Sequence, residues 1–368
     1  MMNSVRLFAD TGVLFADAAG WELFLQYVVQ GLSVGSLYAL IALGYTMVYG
    51  IIELINFAHG DLFMLGCFLT LTLLSVLGLG TAGPWGIGIG ILAMLVLVPL
   101  FCAGVNVAVD RFVYRPLRGA PKLAPLVSAI GVSFVFMNLG MVWPLAERRE
   151  NAEQPFSDKV VFSVGNVGFF PSREIKHDVL DLIGDMRKPA TASEAKPNDM
   201  TPAEEITNGG IQIAFRDILV ILVTVPIMIA LTLFVRFTKL GMAMRATAQN
   251  PTAAKLMGID VDRVISVTFA IGGALAGTAS VIYSLYINTV DFQMGFQNGL
   301  YAFTAAVLGG IGKIPGAVLG GLVIGLVRSL GGGYISQSWN SALVFVVLIV
   351  ILVFRPAGIL GSQTREKV

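Results

Sequence analysis

The sequence predicts an all-α polytopic membrane protein of roughly 8 transmembrane helices, with discontinuous or re-entrant segments and one soluble extracytoplasmic insert. Three observations predict it. Hydrophobic residues make up 56% of the chain and charged residues 13%, against about 45–50% and roughly 25% in soluble domains, and the mean hydropathy is +0.80. Apolar runs of helix length recur along the chain. Residues 31–66, GLSVGSLYALIALGYTMVYGIIELINFAHGDLFMLG, also interrupt two such runs with a polar knot of Glu53, Asn56, His59 and Asp61. In hydrocarbon an unpaired polar group costs several kcal/mol, so a polar break between spans persists only inside protein or beside a water-filled cavity.

A hydrocarbon core of about 30 Å takes roughly 20 apolar residues of helix. By that ruler spans fall near residues 23–49, 61–79, 87–109, 123–145, 213–235, 264–286 and 340–354. Residues 299–331 form two apolar pieces around Gly309, Gly310, Gly312, Pro315 and Gly316; the first is too short to cross alone, which predicts a discontinuous helix or re-entrant pair. The chain thus divides into an N-terminal transmembrane bundle (1–145), a hydrophilic insert (146–212), a C-terminal bundle (213–361) containing a cytoplasmic loop (236–263), and a short tail (362–368). The first twenty-odd residues lack the basic start and cleavage site of a signal peptide, so the first span is expected to be the anchor.

Orientation follows from basic residues in short loops, which stay cytoplasmic. Arg111, Arg115, Arg118 and Lys122 form one cluster, and Arg236, Lys239, Arg245, Lys255 and Arg263 another. Counting back puts the N-terminus and the insert outside. The tail, with Arg365 and Lys367, then lies inside if 299–331 contributes an even number of crossings. The insert mixes charged residues, Pro and Asn with a strand-like stretch at 160–164 and a helix-like one at 176–186. It reads as a tolerated, partly disordered surface insertion or as a docking element for an extracytoplasmic partner.

Small residues recur at four-residue spacing, which lets helix backbones approach closely. Gly31, Gly35 and Ala39 form one ridge, Gly273 and Gly277 a second, and Ala317, Gly321 and Gly325 a third. Plain helix packing is the reading for each glycine taken singly. In the cytoplasmic loop, residues 241–260 read GMAMRATAQNPTAAKLMGID. Asn250 can cap a helix, Pro251 can occupy its first position and Gly258 can end it. Ala253, Ala254, Leu256 and Met257 would give that short helix a small apolar surface for a cleft in another protein, flanked by Arg245 and Lys255; the alternative is an amphipathic helix on the membrane surface.

Several function classes are excluded or disfavoured. A net charge of +1 gives no sign of a nucleic-acid partner. Cys67 and Cys102 lie in apolar runs without metal or nucleophile spacing. Gly31, Ser33 and Gly35 match Gly-x-Ser-x-Gly, but inside a helical span rather than at a strand-to-helix turn. No His-Glu-x-x-His and no Gly-x-x-x-x-Gly-Lys-Ser/Thr run occurs.

The block at 31–66 and the loop at 241–260 are followed by FAIGGALAG (269–277), AVLGGIG (306–312) and FRPAGILG (354–361). As an ordered set they closely resemble the LivH-type permeases of branched-chain amino acid ABC importers, over nearly all of residues 23–361 except the insert. The resemblance implies an inner-membrane transport subunit, not an enzyme. It implies as partners two cytoplasmic ATP-binding subunits, a second homologous permease and a periplasmic substrate-binding protein, within membrane lipid; no cofactor sits in this chain, ATP and Mg being bound by the partner subunits. The helix at 250–258 then resembles the coupling helix that enters the ATPase cleft, with Arg245, Asn250, Ala253, Ala254 and Gly258 as its residues. Glu53, Asn56, His59 and Asp61 are expected to line or gate the pathway, although His59 could instead belong to a satisfied interhelical network and Asp61 could cap the next helix. Related permeases for urea and short amides share much of the pattern, which leaves the substrate open. A passive channel is the other alternative.

Overall fold

The computed structural model describes residues 18–52, 56–76, 84–121, 123–143, 161–163, 215–287, 289–355 and 357–361. Glu53, Lys122, the tail and nearly all of the insert lie outside the described residues. Eleven α-helices are present among them: α1 (Ala18–Ile52), α2 (Ala58–Val76), α3 (Pro84–Val109), α4 (Leu123–Met141), α5 (Phe215–Phe237), α6 (Lys239–Gln249), α7 (Pro251–Leu256), α8 (Val261–Ile287), α9 (Met294–Gly309), α10 (Ile314–Tyr334) and α11 (Asn340–Phe354). A π-turn at Asp110–Tyr114 extends α3. Seven helices are long and apolar enough to cross a membrane; α2 and α9 fall short of that.

The core is built on α1, whose residues from Leu37 to Leu43 are almost fully buried. Apolar surface alone does not hold helices together in lipid, so close backbone approach must. The ridge of α1 meshes with that of α10. A Cβ added at Gly35 would lie 2.8 Å from the Leu322 Cα, one at Gly321 would lie 2.6 Å from the Ala39 Cα, and one at Gly325 would collide with the Gly31 carbonyl. The ridge of α8 meshes with α3, where a Cβ at Gly277 would fall 2.6 Å from the Pro99 Cα and one at Gly273 2.9 Å from the Ala103 Cα. Within the second seam Asn106 Nδ2 donates to the Phe269 carbonyl at 2.7 Å.

Residues 299–331 fold as a hairpin, but its first arm begins earlier, at Met294, and runs 16 residues. Its turn uses positive φ at Gly310 (102°) and Gly312 (88°), where a side chain would be strained. Gly309 faces Gly316, and Ala305 faces Gly320, so α9 and α10 pack antiparallel with no side chain between them. The terminal segment closes on this turn: Ile359 N donates to the Leu308 carbonyl at 2.8 Å, and Lys313 Nζ to the Leu360 carbonyl at 2.6 Å.

Both basic loops sit at one end of the bundle, where Arg118 bonds Asp110 and Asp262 together. The opposite end carries the ribbon in which Val161–Ser163 pairs antiparallel with Thr289–Asp291, Val161 opposite Asp291. One expectation is corrected. The second span was placed at 61–79 as a full crossing, yet α2 starts at Ala58 and is shorter than a crossing helix, with His59 against Gly44 of α1. The polar break lies within the bundle, as its cost in hydrocarbon requires. Gly60 permits this by resting on Gly299, 2.7 Å from its Cα to a Cβ at Gly60.

Gly35→Leu should prevent α1 and α10 from closing, with a loss beyond the about 1–3 kcal/mol typical of overpacking. Gly104→Leu, where nothing lies within 4 Å, should fold normally. Thermal unfolding in detergent checks the pair; equal losses would contradict the seam.

Candidate translocation and coupling site

The break between α1 and α2 brings three of the four expected pathway residues together. Asn56 is buried, and its Oδ1 accepts from the Tyr114 hydroxyl at 2.9 Å. His59 is 1% exposed and stands edge-on to Tyr45 with ring centroids 4.7 Å apart. Its ring fits only because Gly44 has no side chain: a Cβ there would overlap Nε2. Neither ring nitrogen makes a hydrogen bond of ordinary geometry, the Ile41 backbone being the polar group that acts on the ring. Asp61 is 1% exposed; its Oδ2 accepts from the Ser133 hydroxyl, while Oδ1 is without a partner and faces Gly295. It stands in the first turn of α2 and bonds across to α4, which replaces the expectation that it caps its own helix. Glu53 lies outside the described residues. Beside the break, a cleft lined by Tyr45, Tyr49, Asn56, Phe303, Ala306 and Ile311 has room for about one water molecule.

The cytoplasmic loop forms two helices where one was expected. Thr238 caps α6 by accepting from Gly241 N at 3.0 Å. Asn250 caps α7 by accepting from Ala253 N at 2.9 Å, and Pro251 takes its first position. The chain then leaves through Gly258 at φ 83°, where Ile259 N returns to the Ala254 carbonyl at 3.0 Å. The apolar surface is smaller than expected. Leu256 and Met257 are 84% and 82% exposed, but Ala254 is 4% exposed and packs inward. The short helix has one face against the bundle, and Ala254 falls on it.

Sequence reasoning missed an ion cluster that ties this loop to the membrane core. Asp110, fully buried, accepts from Arg118 Nη2 at 2.6 Å and from Ser266 Oγ at 2.5 Å. Asp262 accepts from Arg118 and, at 3.2 Å, from Arg115. The arginines were read only as topology signals; the clue was a lone aspartate at the junction of an apolar run and a basic cluster. Ser133, Tyr45 and Tyr114 were missed too, because each gains its role from a residue far away in sequence. Ser33 sits within α1 with its hydroxyl on the Val29 carbonyl at 3.1 Å, so it forms no strand-to-helix elbow.

Buried polar groups at a helix break inside a helical membrane bundle, beside a helix pair at its basic end, define a multi-pass transport permease. Residues 27–352 match the family described as branched-chain amino acid transport system / permease component, and the chain belongs to that family. It is 37% identical to the high-affinity branched-chain amino acid transport system permease protein BraD of Pseudomonas aeruginosa and 35% identical to LivH of Escherichia coli, covering 94% of this chain and 98% of each relative. It is 25% identical to the probable branched-chain amino acid transport permease protein LivH of Methanocaldococcus jannaschii, over 93% of this chain and 94% of that protein. No solved structure matches the chain. The chain is an inner-membrane transport subunit and not an enzyme.

Arg118→Ala should leave Asp110 buried and unpaired, a loss of about 3–5 kcal/mol. Arg115→Ala, whose bridge has side chains 49% and 40% exposed, should cost about 0–1 kcal/mol. Thermal unfolding of the two variants side by side checks this ranking.

Proposed function

We propose that this chain forms the translocation pathway for branched-chain amino acids in an ATP-driven importer, working with two cytoplasmic ATP-binding subunits, a second homologous permease and a periplasmic binding protein. The observation that carries this reading is the capped helix α7. It presents Leu256 and Met257 to solvent on a loop fixed to the bundle through Asp262 and Arg118, as a helix that seats in a partner's cleft must. Arg245 and Lys255 supply charge beside it. ATP and Mg belong to the partners in this reading. Asn56, His59 and Asp61 line or gate the path, where a break can open without unpairing helical backbone. A loaded binding protein and ATP drive transport by favouring different conformers of the permease pair.

Affinity purification from the native membrane with mass spectrometry tests the assembly: two ATPases and a second permease are expected. Recovery of the chain alone, active in liposomes without ATP, would instead identify a channel. Leu256→Asp with Met257→Asp should abolish ATPase co-purification or uptake while leaving the permease folded, because both side chains are free of the bundle. Full uptake by that variant would remove α7 from its role.

A further inference from the structure

α10 contains a single charged residue, Arg328. Its guanidinium carbon lies 4.6 Å from the centre of the Tyr301 ring and 5.5 Å from that of Tyr38. Tyr38 stands midway between Leu23 and Ile52, the ends of the apolar part of α1, so about 20 Å of helix extends on either side. Arg328 itself lies within the apolar α10, six residues or about 9 Å of helix before its end at Tyr334. Among the described residues Arg328 makes no hydrogen bond and no ion pair. Two aromatic faces offset part of the cost of burying it but leave its five N–H donors unused.

Its surroundings are polar and adjustable. The Tyr301 and Ser341 hydroxyls are 2.6 Å apart and either can donate. Asn298 accepts from the Tyr38 hydroxyl at 3.4 Å and donates to the Tyr283 hydroxyl at 3.3 Å. These groups come from α1, α8, α9 and α11, so the cluster sits where the helices of the bundle converge. Among the described residues no anion stands against it. An ionisable residue inside a membrane bundle is a candidate for a substrate pathway.

We propose that Arg328 is a station on the translocation path that receives the α-carboxylate of the carried amino acid, its fork bonding both oxygens while the Tyr301 and Ser341 hydroxyls reorient toward them. This rests on the importer reading above and narrows it. Urea and short amides carry no charge to compensate a guanidinium among these helices, so the cargo is a carboxylate-bearing amino acid. The aromatic faces hold the cation between turnovers.

The test uses the complete transporter in proteoliposomes with its binding protein, L-leucine and ATP. Arg328→Met and Arg328→Lys are each compared with wild type for assembly, for ATP hydrolysis stimulated by the loaded binding protein, and for leucine uptake. Arg328→Met is expected to assemble and to hydrolyse ATP within about two-fold of wild type while uptake falls at least about ten-fold. Arg328→Lys, a point charge without the fork, is expected to keep assembly and lose uptake several-fold. Uptake at wild-type level in either variant overturns the assignment, as does failure of both to assemble, which would make Arg328 a structural clamp. If Arg328→Met alone fails to assemble, the uptake of Arg328→Lys decides. A wild-type complex that accumulates no leucine with ATP sinks the importer reading itself, a result distinct from wild-type uptake matched by the variants.

Discussion

Helices in lipid gain little by burying apolar side chains against one another, so how closely their backbones can approach decides which pairs form. In this protein that closeness is reached along two glycine seams. Gly31, Gly35 and Ala39 of α1 lock into Gly321 and Gly325 of α10, and Gly273 and Gly277 of α8 lock onto Pro99 and Ala103 of α3. Pro99 fits the second seam because its backbone is what Gly277 touches. Since α1 also packs on α8, the seams together set the positions of four helices, and the side chains with chemistry in them are carried on that frame.

The frame explains where polar groups are tolerated. Asn106 is answered by the Phe269 carbonyl, Asn56 by Tyr114, and Thr70 by the Gly66 carbonyl. Each such pairing removes a penalty of the order of 1–3 kcal/mol for a buried unsatisfied group. Other buried polar atoms have no partner among the described residues: the hydroxyls of Thr46, Thr224, Thr247 and Ser284, on four different helices, and both nitrogens of His59 and one oxygen of Asp61 at the break.

Much of the fold could be read from the sequence because lipid imposes length and polarity on every span. The cap at Asn250 and Pro251 was equally readable, since a side-chain oxygen followed by a residue without N–H suits one local geometry. The ridges were visible as ridges, but not as partners. Four-residue spacing identifies a face, and any small face fits any other, so only the structure joins Gly35 to Gly321. The inward turn of Ala254 was hidden for a related reason: a six-residue helix has no periodicity long enough to show which side meets α8. That the break lies inside the protein was readable from its polarity, but not that the His59 ring fits there only because Gly44 has no side chain. Arg328 was in plain view, a single cation inside an apolar run, yet that no described residue brings it an anion is a fact of three dimensions.

The ion cluster gives the cytoplasmic helices a mechanical route into the membrane. Asp110 joins the end of α3 to Ser266 on α8, and Arg118 joins both to Asp262, one residue into α8 from the loop that carries α7. With the glycine seam between α3 and α8, this makes α3, the basic loop, α8 and α7 one body. Tyr114 belongs to that body and holds Asn56, so a displacement of α7 acts directly on the break. The opposing surface, α1 with α10 and α9, is closed by its own glycine contacts and meets the first body along α8 and at α2. Where the two meet at α2, the Gly60 backbone lies on Gly295 and Gly299, with the side chains of Asp61, Met64 and Tyr45 beside them. The cleft beside Asn56 has room for about one water, far less than an amino acid occupies, and widening it requires relative motion of these two bodies. The cheapest place for that motion is the glycine contact at α2, because the seams within each body place backbone against backbone over several turns.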